Sequence, residues 1–234
     1  MRELKDRIIV ALDLDNLEKA IELVVKLVPE GVKVFKVGSQ LFTAYGPEAV
    51  KKVGEKGAKV FLDLKFHDIP NTILNAAVSA TGIRYGMNNF PVFMMTVHTA
   101  GGKEMLEAAV KGADSKAREL GIERPGIIGV TVLTSDKKGK DTQESVLKAA
   151  GLAKAAGLDG VVCAASEAVA VRKEFGRDFI IVTPGIRPKG YAAHDQSRVA
   201  TAQEAVKAGA DYFVVGRPIL EAKEPVAALK EILR

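Results

Sequence analysis

The chain changes from apolar to charged within one short segment, VFLDLKFHDIPNT at residues 60–72. Its first three residues predict a buried strand, because continuously apolar runs are typical of parallel strands covered on both faces. Asp63 and Lys65 follow at alternate positions and therefore share one face of that strand. Asp68 and the turn-forming residues after it begin a loop. The segment thus predicts a strand whose carboxyl end carries charge and leads into a helix.

The same strand–loop–helix unit recurs along the whole chain of 234 residues. The apolar runs that predict strands lie at 8–12, 32–37, 59–64, 92–98, 126–132, 160–163, 179–182 and 212–215. Segments with helical periodicity lie at 17–27, 47–55, 72–81, 103–120, 142–155, 167–174, 202–207 and 219–233. Gly57, Gly157 and Gly209 precede three of the strands, where glycine suits the left-handed position that ends a helix. This rhythm predicts an α/β protein, a (β/α)8 TIM barrel forming one domain over residues 1–234, with a doubly wound open sheet as the alternative.

Composition argues against membrane and nucleic-acid-binding proteins. No apolar run approaches the roughly 20 residues of a membrane helix, and the apolar stretch at 8–12 is too short for a signal peptide. The net charge of +5 is spread along the chain, and aromatic residues make up only 6% of it. Nucleic-acid sites usually have denser basic patches with stacking aromatics. Cys163 is the only cysteine, so an intrachain disulfide is excluded. We therefore expect a cytoplasmic protein.

Charged residues gather at neighbouring strand ends, where (β/α)8 barrels place their chemistry. Lys36 interrupts an apolar strand, and the next strand ends with Asp63 and Lys65. Asp68 follows in the loop, and Asp13 ends the first strand. Buried charges cost free energy unless they are paired, and apolar groups would serve barrel stability as well. The cluster therefore indicates a functional site, with a structural ion-pair network as the alternative.

The charge on Lys65 limits the chemistry that this site can perform. Carboxylates on either side of a lysine favour its ammonium form, which is a poor Schiff-base nucleophile but a sound proton donor. The pattern therefore favours protonation of a carbanion-like centre. The three histidines lack zinc-like spacing, so we expect no metal. Asp63, Asp68 and His98 are the alternative set, for a hard cation.

Two later segments predict an anion site beside the last two strands. TPGIRP at 183–188 is followed by DQSR at 195–198, and VVGRPI at 214–219 ends the eighth strand. Barrels often bind phosphate at these two loops. Gly216 lets the backbone approach an anion and Arg217 adds a charge-assisted contact, although an ordinary helix start is the alternative. The first of these loops is a candidate lid.

These motifs resemble the orotidine 5′-monophosphate decarboxylase family almost from end to end. The match covers DLKFHDIPNT at 63–72, FKVG at 35–38 and the segments at 183–187 and 195–198. Related magnesium-dependent hexulose-phosphate synthases and ketogulonate-phosphate decarboxylases share only the Asp-x-Lys-x-x-Asp skeleton. The chain departs from the family pattern at TVHT, residues 96–99, where Asn-Val-His-Ala is usual. It also departs in a longer segment at 84–90 and at His194.

The resemblance implies a cofactor-free, metal-free conversion of orotidylate to uridylate and carbon dioxide in pyrimidine biosynthesis. It implies that Lys65 protonates pyrimidine C6 and that Asp63 lies beside the substrate carboxylate. It further implies substrate contacts from Asp13 and Lys36 at the ribose, Thr134 at the pyrimidine edge, Gln196, Gly216 and Arg217 at the phosphate, and Arg187 at the lid. The family is also expected to form a homodimer with shared sites, in which Asp68, Ile69 and Thr72 reach the substrate from the second subunit. The alternatives are a magnesium-dependent sugar-phosphate lyase and a non-catalytic nucleotide sensor.

Overall fold

Eight parallel strands close into a barrel in the computed structural model, which describes residues 3–132, 142–188, 191 and 199–234. The strands are β1 Ile8–Ala11, β2 Val34–Gly38, β3 Lys59–Phe66, β4 Val92–His98, β5 Gly126–Val130, β6 Gly160–Val162, β7 Ile180–Thr183 and β8 Tyr212–Val215. Each strand pairs in parallel with the next, and β8 pairs with β1. The predicted (β/α)8 barrel is confirmed, and the alternative of an open sheet is wrong.

The helices that surround the barrel are α1 Leu17–Leu27, α2 Ser39–Tyr45, α3 Pro47–Gly54, α4 Pro70–Thr81, α5 Gly102–Leu120, α6 Thr142–Ala155, α7 Ala165–Phe175, α8 Ala202–Lys207, α9 Arg217–Leu220 and α10 Pro225–Ile232. The single helix predicted over 219–233 is wrong: Pro225 cannot continue a helix but can begin one, and it separates α9 from α10. The short helix α2 was not predicted, and Gly46 (φ 57°) divides it from α3. None of the described helices is both long and apolar enough to cross a membrane.

The barrel interior is layered, because alternate residues of each strand face inwards. An apolar layer fills its middle with side chains that include Ile9, Val34, Phe61, Met94 and Ile128. Two residues further along β2, β3 and β4, the inward positions become polar, with Lys36, Asp63 and Thr96. A larger apolar cluster joins the outside of the sheet to the helices. The barrel is therefore closed in its middle and polar at the mouth, where the strands end.

Two similar ion-paired contacts, here called the floor clasps, fix the opposite end of the barrel. Asp159, just before β6, accepts a hydrogen bond from the backbone N–H of Ile127 at 2.6 Å and pairs with Arg124. Asp211, just before β8, likewise accepts a hydrogen bond from the backbone N–H of Ile181 and pairs with Arg172. The glycine turns predicted before three strands are confirmed by positive φ angles of 79° at Gly57, 81° at Gly157 and 108° at Gly209. Each floor clasp thus ties the start of one strand to the strand before it.

Candidate active site

The polar layer at the mouth contains an array of alternating charges. Lys36 Nζ lies 2.7 Å from Asp13 Oδ1 and 3.5 Å from Asp63 Oδ2. Lys65 Nζ lies 2.9 Å from the same Asp63 oxygen, which therefore stands between two ammonium groups. The neighbouring positions of β2 and β3 bring these residues together, as the strand order predicted. We refer to Asp13, Lys36, Asp63 and Lys65 as the charged array.

Burial differs across the charged array and shapes its electrostatics. The side chains of Lys36 and Asp63 are 11% and 12% exposed, whereas that of Lys65 is 40% exposed. Burial alone would disfavour the Asp63 carboxylate, but the charges of Lys36 and Lys65 outweigh it. Together with hydrogen bonds from Lys65 and Thr96, they hold the pKa of Asp63 below its ordinary value. Asp63 is thus a buried anion, and Lys65 is the cation nearer the opening.

The backbone at Lys65 adopts a left-handed conformation, with φ 51°. No other non-glycine residue among those described has a positive φ, and this conformation costs roughly 1–2 kcal/mol. The register between β3 and β4 shifts at the same place: the flanking pairs are Leu62 with Met95 and Phe66 with Val97. Residues 63–65 of β3 therefore stand opposite the single residue Thr96 of β4. The strand predicted to end at residue 64 continues through this bulge, so regular alternation is not what brings Lys65 to Asp63.

The charged array forms one wall of a cavity of about 470 Å³. Five valines also line it, at positions 130, 132, 162, 182 and 214, and so do Gly185, Arg187, Gly216 and Arg217 of the last two strand–helix loops, here called the cationic end. The volume lies within the range typical of small-molecule sites. The combination of the charged array, an apolar lining and the cationic end suits a ligand with a flat ring and an anionic group.

Residues of the last two strand–helix loops meet at the cationic end. Arg187 is 5% exposed, and its backbone N–H donates to the carbonyl of Ala200 at 3.0 Å. Its guanidinium lies 5.5 Å from the ring centroid of Tyr191. Arg217 begins α9 directly after Gly216. The predicted residues Thr134 and Gln196 lie outside the described residues, as does His194.

The segment at the start of α4 does not line the cavity of its own chain. Asp68 Oδ1 accepts a hydrogen bond from the backbone N–H of Ile69 at 2.6 Å. Ile69 is 66% exposed, and Thr72 is exposed as well. The predicted site residues therefore form two groups within one chain, the cavity and this segment.

His67 and His98 stack at the mouth with ring centroids 5.5 Å apart. Burial, followed by electrostatic interaction with His67 and Lys65, lowers the pKa of His98. His98 Nδ1 accepts the backbone N–H of Ala100 at 3.2 Å. Within the described ranges, no three His, Cys, Asp or Glu side chains form a group that could hold a metal ion, so Asp63, Asp68 and His98 do not converge on one.

Thr96 joins the site although the sequence analysis treated it only as a departure from a family pattern. Its hydroxyl donates to Asp63 Oδ1 at 3.0 Å and accepts the backbone N–H of Lys65 at 2.8 Å. The available signal was a hydroxyl at an inward position of an otherwise apolar strand. Another departure, the segment at 84–90, forms a turn before β4 in which Tyr85 pairs with Asn89, at the opposite end from the mouth.

The fold and the cavity define a class of protein, the (β/α)8-barrel enzymes that act on a small anionic substrate at the barrel mouth. The sequence profile of the Orotidine 5′-phosphate decarboxylase / HUMPS family matches residues 6–232. The orotidine 5′-phosphate decarboxylase of Pseudoalteromonas atlantica is 44% identical to the chain, over 97% of the chain and 96% of its own length. That of Moorella thermoacetica is 47% identical, over 97% of the chain and 91% of its own length. The crystal structure of orotidine 5′-phosphate decarboxylase from Lactobacillus acidophilus is similar with a TM-score of 0.81 at 36% identity, covering 97% of this chain and 96% of that one. The chain belongs to the orotidine 5′-phosphate decarboxylase / HUMPS family and is a carbon–carbon lyase.

Proposed function

We propose that the chain decarboxylates orotidine 5′-monophosphate to uridine 5′-monophosphate, a step of pyrimidine biosynthesis, without a cofactor or metal ion. The charged array carries this proposal: Asp63 and Lys65 lie 2.9 Å apart on one wall of a cavity that has Arg187 and Arg217 on its other side. The names of these two relatives, both orotidine 5′-phosphate decarboxylases, support the same reaction. We place the activity in the cytoplasm, in keeping with a sequence whose only cysteine, Cys163, allows no intrachain disulfide.

The two charged groups of the substrate, the phosphate and the carboxylate on pyrimidine C6, set its orientation in the cavity. The phosphate meets the cationic end, the ribose lies beside Asp13 and Lys36, and the pyrimidine lies over the valines. The phosphate contacts are assigned to Gly216, Arg217, Arg187 and Gln196, and the pyrimidine edge to Thr134. This orientation directs the carboxylate on pyrimidine C6 towards Asp63. Binding energy from the remote phosphate is then available to hold the reacting carbon against the charged array.

The chemistry follows from two anions and one proton donor. The ionised Asp63 repels the substrate carboxylate, and the repulsion is relieved as carbon dioxide leaves. The bond between C6 and the carboxylate breaks, and its electron pair stays on C6. The ammonium group of Lys65 then donates a proton to form the C6–H bond, and the neutral amine regains a proton from water. Lys36, 3.5 Å from Asp63, balances the carboxylate throughout.

We also propose that two copies of the chain form a homodimer with shared sites. The segment from Asp68 to Thr72 supports this, because its predicted site residues are exposed and do not line the cavity of their own chain. Asp68 of one subunit would add a carboxylate to the charged array of the other. Ile69 and Thr72 would close the same cavity from above.

The test is the ultraviolet absorbance of orotidylate mixed with the purified protein in the presence of EDTA. We expect the spectrum to change to that of uridylate. Lys65→Ala should lower kcat by at least about 10³-fold, because it removes the proton donor, while uridylate binding persists. An unchanged spectrum from folded wild-type protein would refute the proposal. Uridylate binding would then indicate the nucleotide sensor, and turnover of a hexulose phosphate with magnesium would indicate the sugar-phosphate lyase.

A further inference from the structure

We propose that Thr96 is a positioning residue for the reaction, because its hydroxyl fixes both the backbone of Lys65 and the carboxylate of Asp63. The inference rests on the proposed function, since it assigns Lys65 as the proton donor and Asp63 as the neighbouring anion. Thr96 itself does not line the cavity and so acts only through these two residues.

The place of Thr96 in the sheet explains how it fixes the backbone of Lys65. It is the one residue of β4 opposite the bulge at residues 63–65. The register shift carries the backbone N–H of Lys65 out of the regular ladder, and the Thr96 hydroxyl oxygen accepts it at 2.8 Å in place of a strand carbonyl. A side chain therefore does here what a backbone carbonyl does in a regular strand pair.

The single hydroxyl proton of Thr96 explains how it also fixes the carboxylate of Asp63. Because the oxygen accepts from Lys65, its proton is free to donate to Asp63 Oδ1, 3.0 Å away. The other oxygen, Oδ2, faces the ammonium groups of Lys36 and Lys65 at 3.5 and 2.9 Å. The two carboxylate oxygens thus have separate partners, and rotation of the carboxylate would break both sets. Thr96 is fully buried, so water does not replace its hydroxyl.

The strained backbone of Lys65 makes this support matter for catalysis. Left-handed conformations of ordinary residues persist only where the surroundings hold them. Lys65 has φ 51°, and Thr96 bonds the N–H of that same residue. If the hydrogen bond is lost, the backbone can relax, and the displacement grows along the lysine side chain to Nζ. Misplacement of a reacting group by about 1 Å can cost 10²-fold in rate.

Another threonine offers a matched control. Thr99 is also buried, at 4% exposure, and its hydroxyl donates to the carbonyl of Val130 at 2.8 Å. Among the contacts described for it, none joins the charged array. Replacement of Thr99 by valine removes one buried hydroxyl at the same end of the barrel. It therefore reports the structural cost of such a change.

The experiment compares the steady-state kinetics of Thr96→Val, Thr96→Ser and Thr99→Val with those of the wild type. We expect Thr96→Val to lower kcat by about 10²-fold while KM changes less than about threefold. Thr96→Ser keeps the hydroxyl and should restore kcat to within about tenfold of the wild type. Thr99→Val should keep the wild-type kcat. If Thr96→Val does not fold, Thr96→Ala, which adds no strain to the packing, replaces it.

The pH dependence of kcat separates positioning from a general loss of order. Ionised Asp63 is required, so activity falls as the pH falls through the pKa of Asp63. The Thr96 hydrogen bond helps to lower that pKa, so its loss should move the acid limb to higher pH in Thr96→Val but not in Thr96→Ser. Equal kcat and an unmoved acid limb in Thr96→Val would overturn the proposal, and so would a Thr96→Ser variant as impaired as Thr96→Val.

A failure of the proposed function would be distinguishable from a failure of this inference. Wild-type protein without orotidylate turnover contradicts the proposed function alone. The pKa of Asp63 can then be followed by carboxyl-carbon NMR in the wild type and in Thr96→Val, with the signal assigned from Asp63→Asn. A higher pKa in Thr96→Val supports the hydrogen bond and its role, and an unchanged pKa refutes it.

Discussion

Gly38 has no side chain because the charged array occupies the space where one would lie. A Cβ at this position would lie 2.8 Å from Lys36 Nζ and 2.9 Å from Asp13 Oδ1. Its φ of −94° is open to any residue, so space rather than backbone conformation requires glycine. Close contacts of this kind force a neighbour to move. Here the neighbours are two charged groups assigned to the ribose.

We predict that Gly38→Ala lowers kcat/KM for orotidylate by about 10²-fold, because the added methyl group displaces the pair of Lys36 and Asp13. Steady-state kinetics provide the measurement. A double-mutant cycle with Lys36→Ala provides the control, because truncation of the lysine makes room for the methyl group. Independent, additive losses in the cycle would contradict this explanation.

Among individual residues, the sequence predicted the charged residues of the site better than the residues that support them. The meeting of Lys36 with Asp63 follows from strand order, since consecutive strands of a barrel are neighbours. Thr96 could not be assigned, because a threonine in an apolar strand is equally suited to packing. Its role depends on a register shift that the alternation of side chains does not encode.

The contact between α4 and α5 depends on another glycine. A Cβ at Gly112 would lie 2.3 Å from the carbonyl oxygen of Leu74, which is backbone and cannot move aside like a flexible side chain. We predict that Gly112→Ala lowers the free energy of unfolding by about 1–3 kcal/mol. Urea unfolding provides the measurement. Turnover per folded molecule should be unchanged, since Gly112 lies outside the cavity.

Gly151 provides the matched control for Gly112, because it also lies within a helix. A Cβ there would make only ordinary contact with the ring of Phe175, at 3.8 Å. Gly151→Ala should therefore stabilise the protein by up to about 1 kcal/mol, through helix propensity. Equal changes in the free energy of unfolding of Gly112→Ala and Gly151→Ala would contradict the explanation that Gly112 allows α4 to pack closely on α5.

Strands were easier to predict than helices, for a physical reason. Parallel strands buried on both faces leave continuous apolar runs, which mark all eight positions. Helix α2 buries only Leu41, so its sequence lacks the repeated apolar positions that predict a helix. The region at 219–233 shows such a pattern, but it contains Pro225, whose effect on the helix outweighs periodicity.

For the whole molecule, the proposed dimer predicts complementation between inactive variants. A hybrid of Asp68→Asn and Lys65→Ala subunits contains one site with both native residues, if Asp68 acts across the interface. Random mixing of equal amounts should restore about a quarter of wild-type activity, because half of the dimers are hybrids with one working site. Each variant alone provides the control. No recovery after demonstrated subunit exchange would contradict a shared site.

The floor clasps have a consequence for how such a barrel evolves. Asp159 and Asp211 occupy the same place in successive strand pairs, each with its own arginine partner. The two contacts share no residue, so a substitution that removes one leaves the other in place. The residues that we propose for the reaction lie at the other end of the barrel. Substitutions at the floor therefore change the scaffold without touching the proposed site, and substitutions at the mouth change the site without touching the floor clasps.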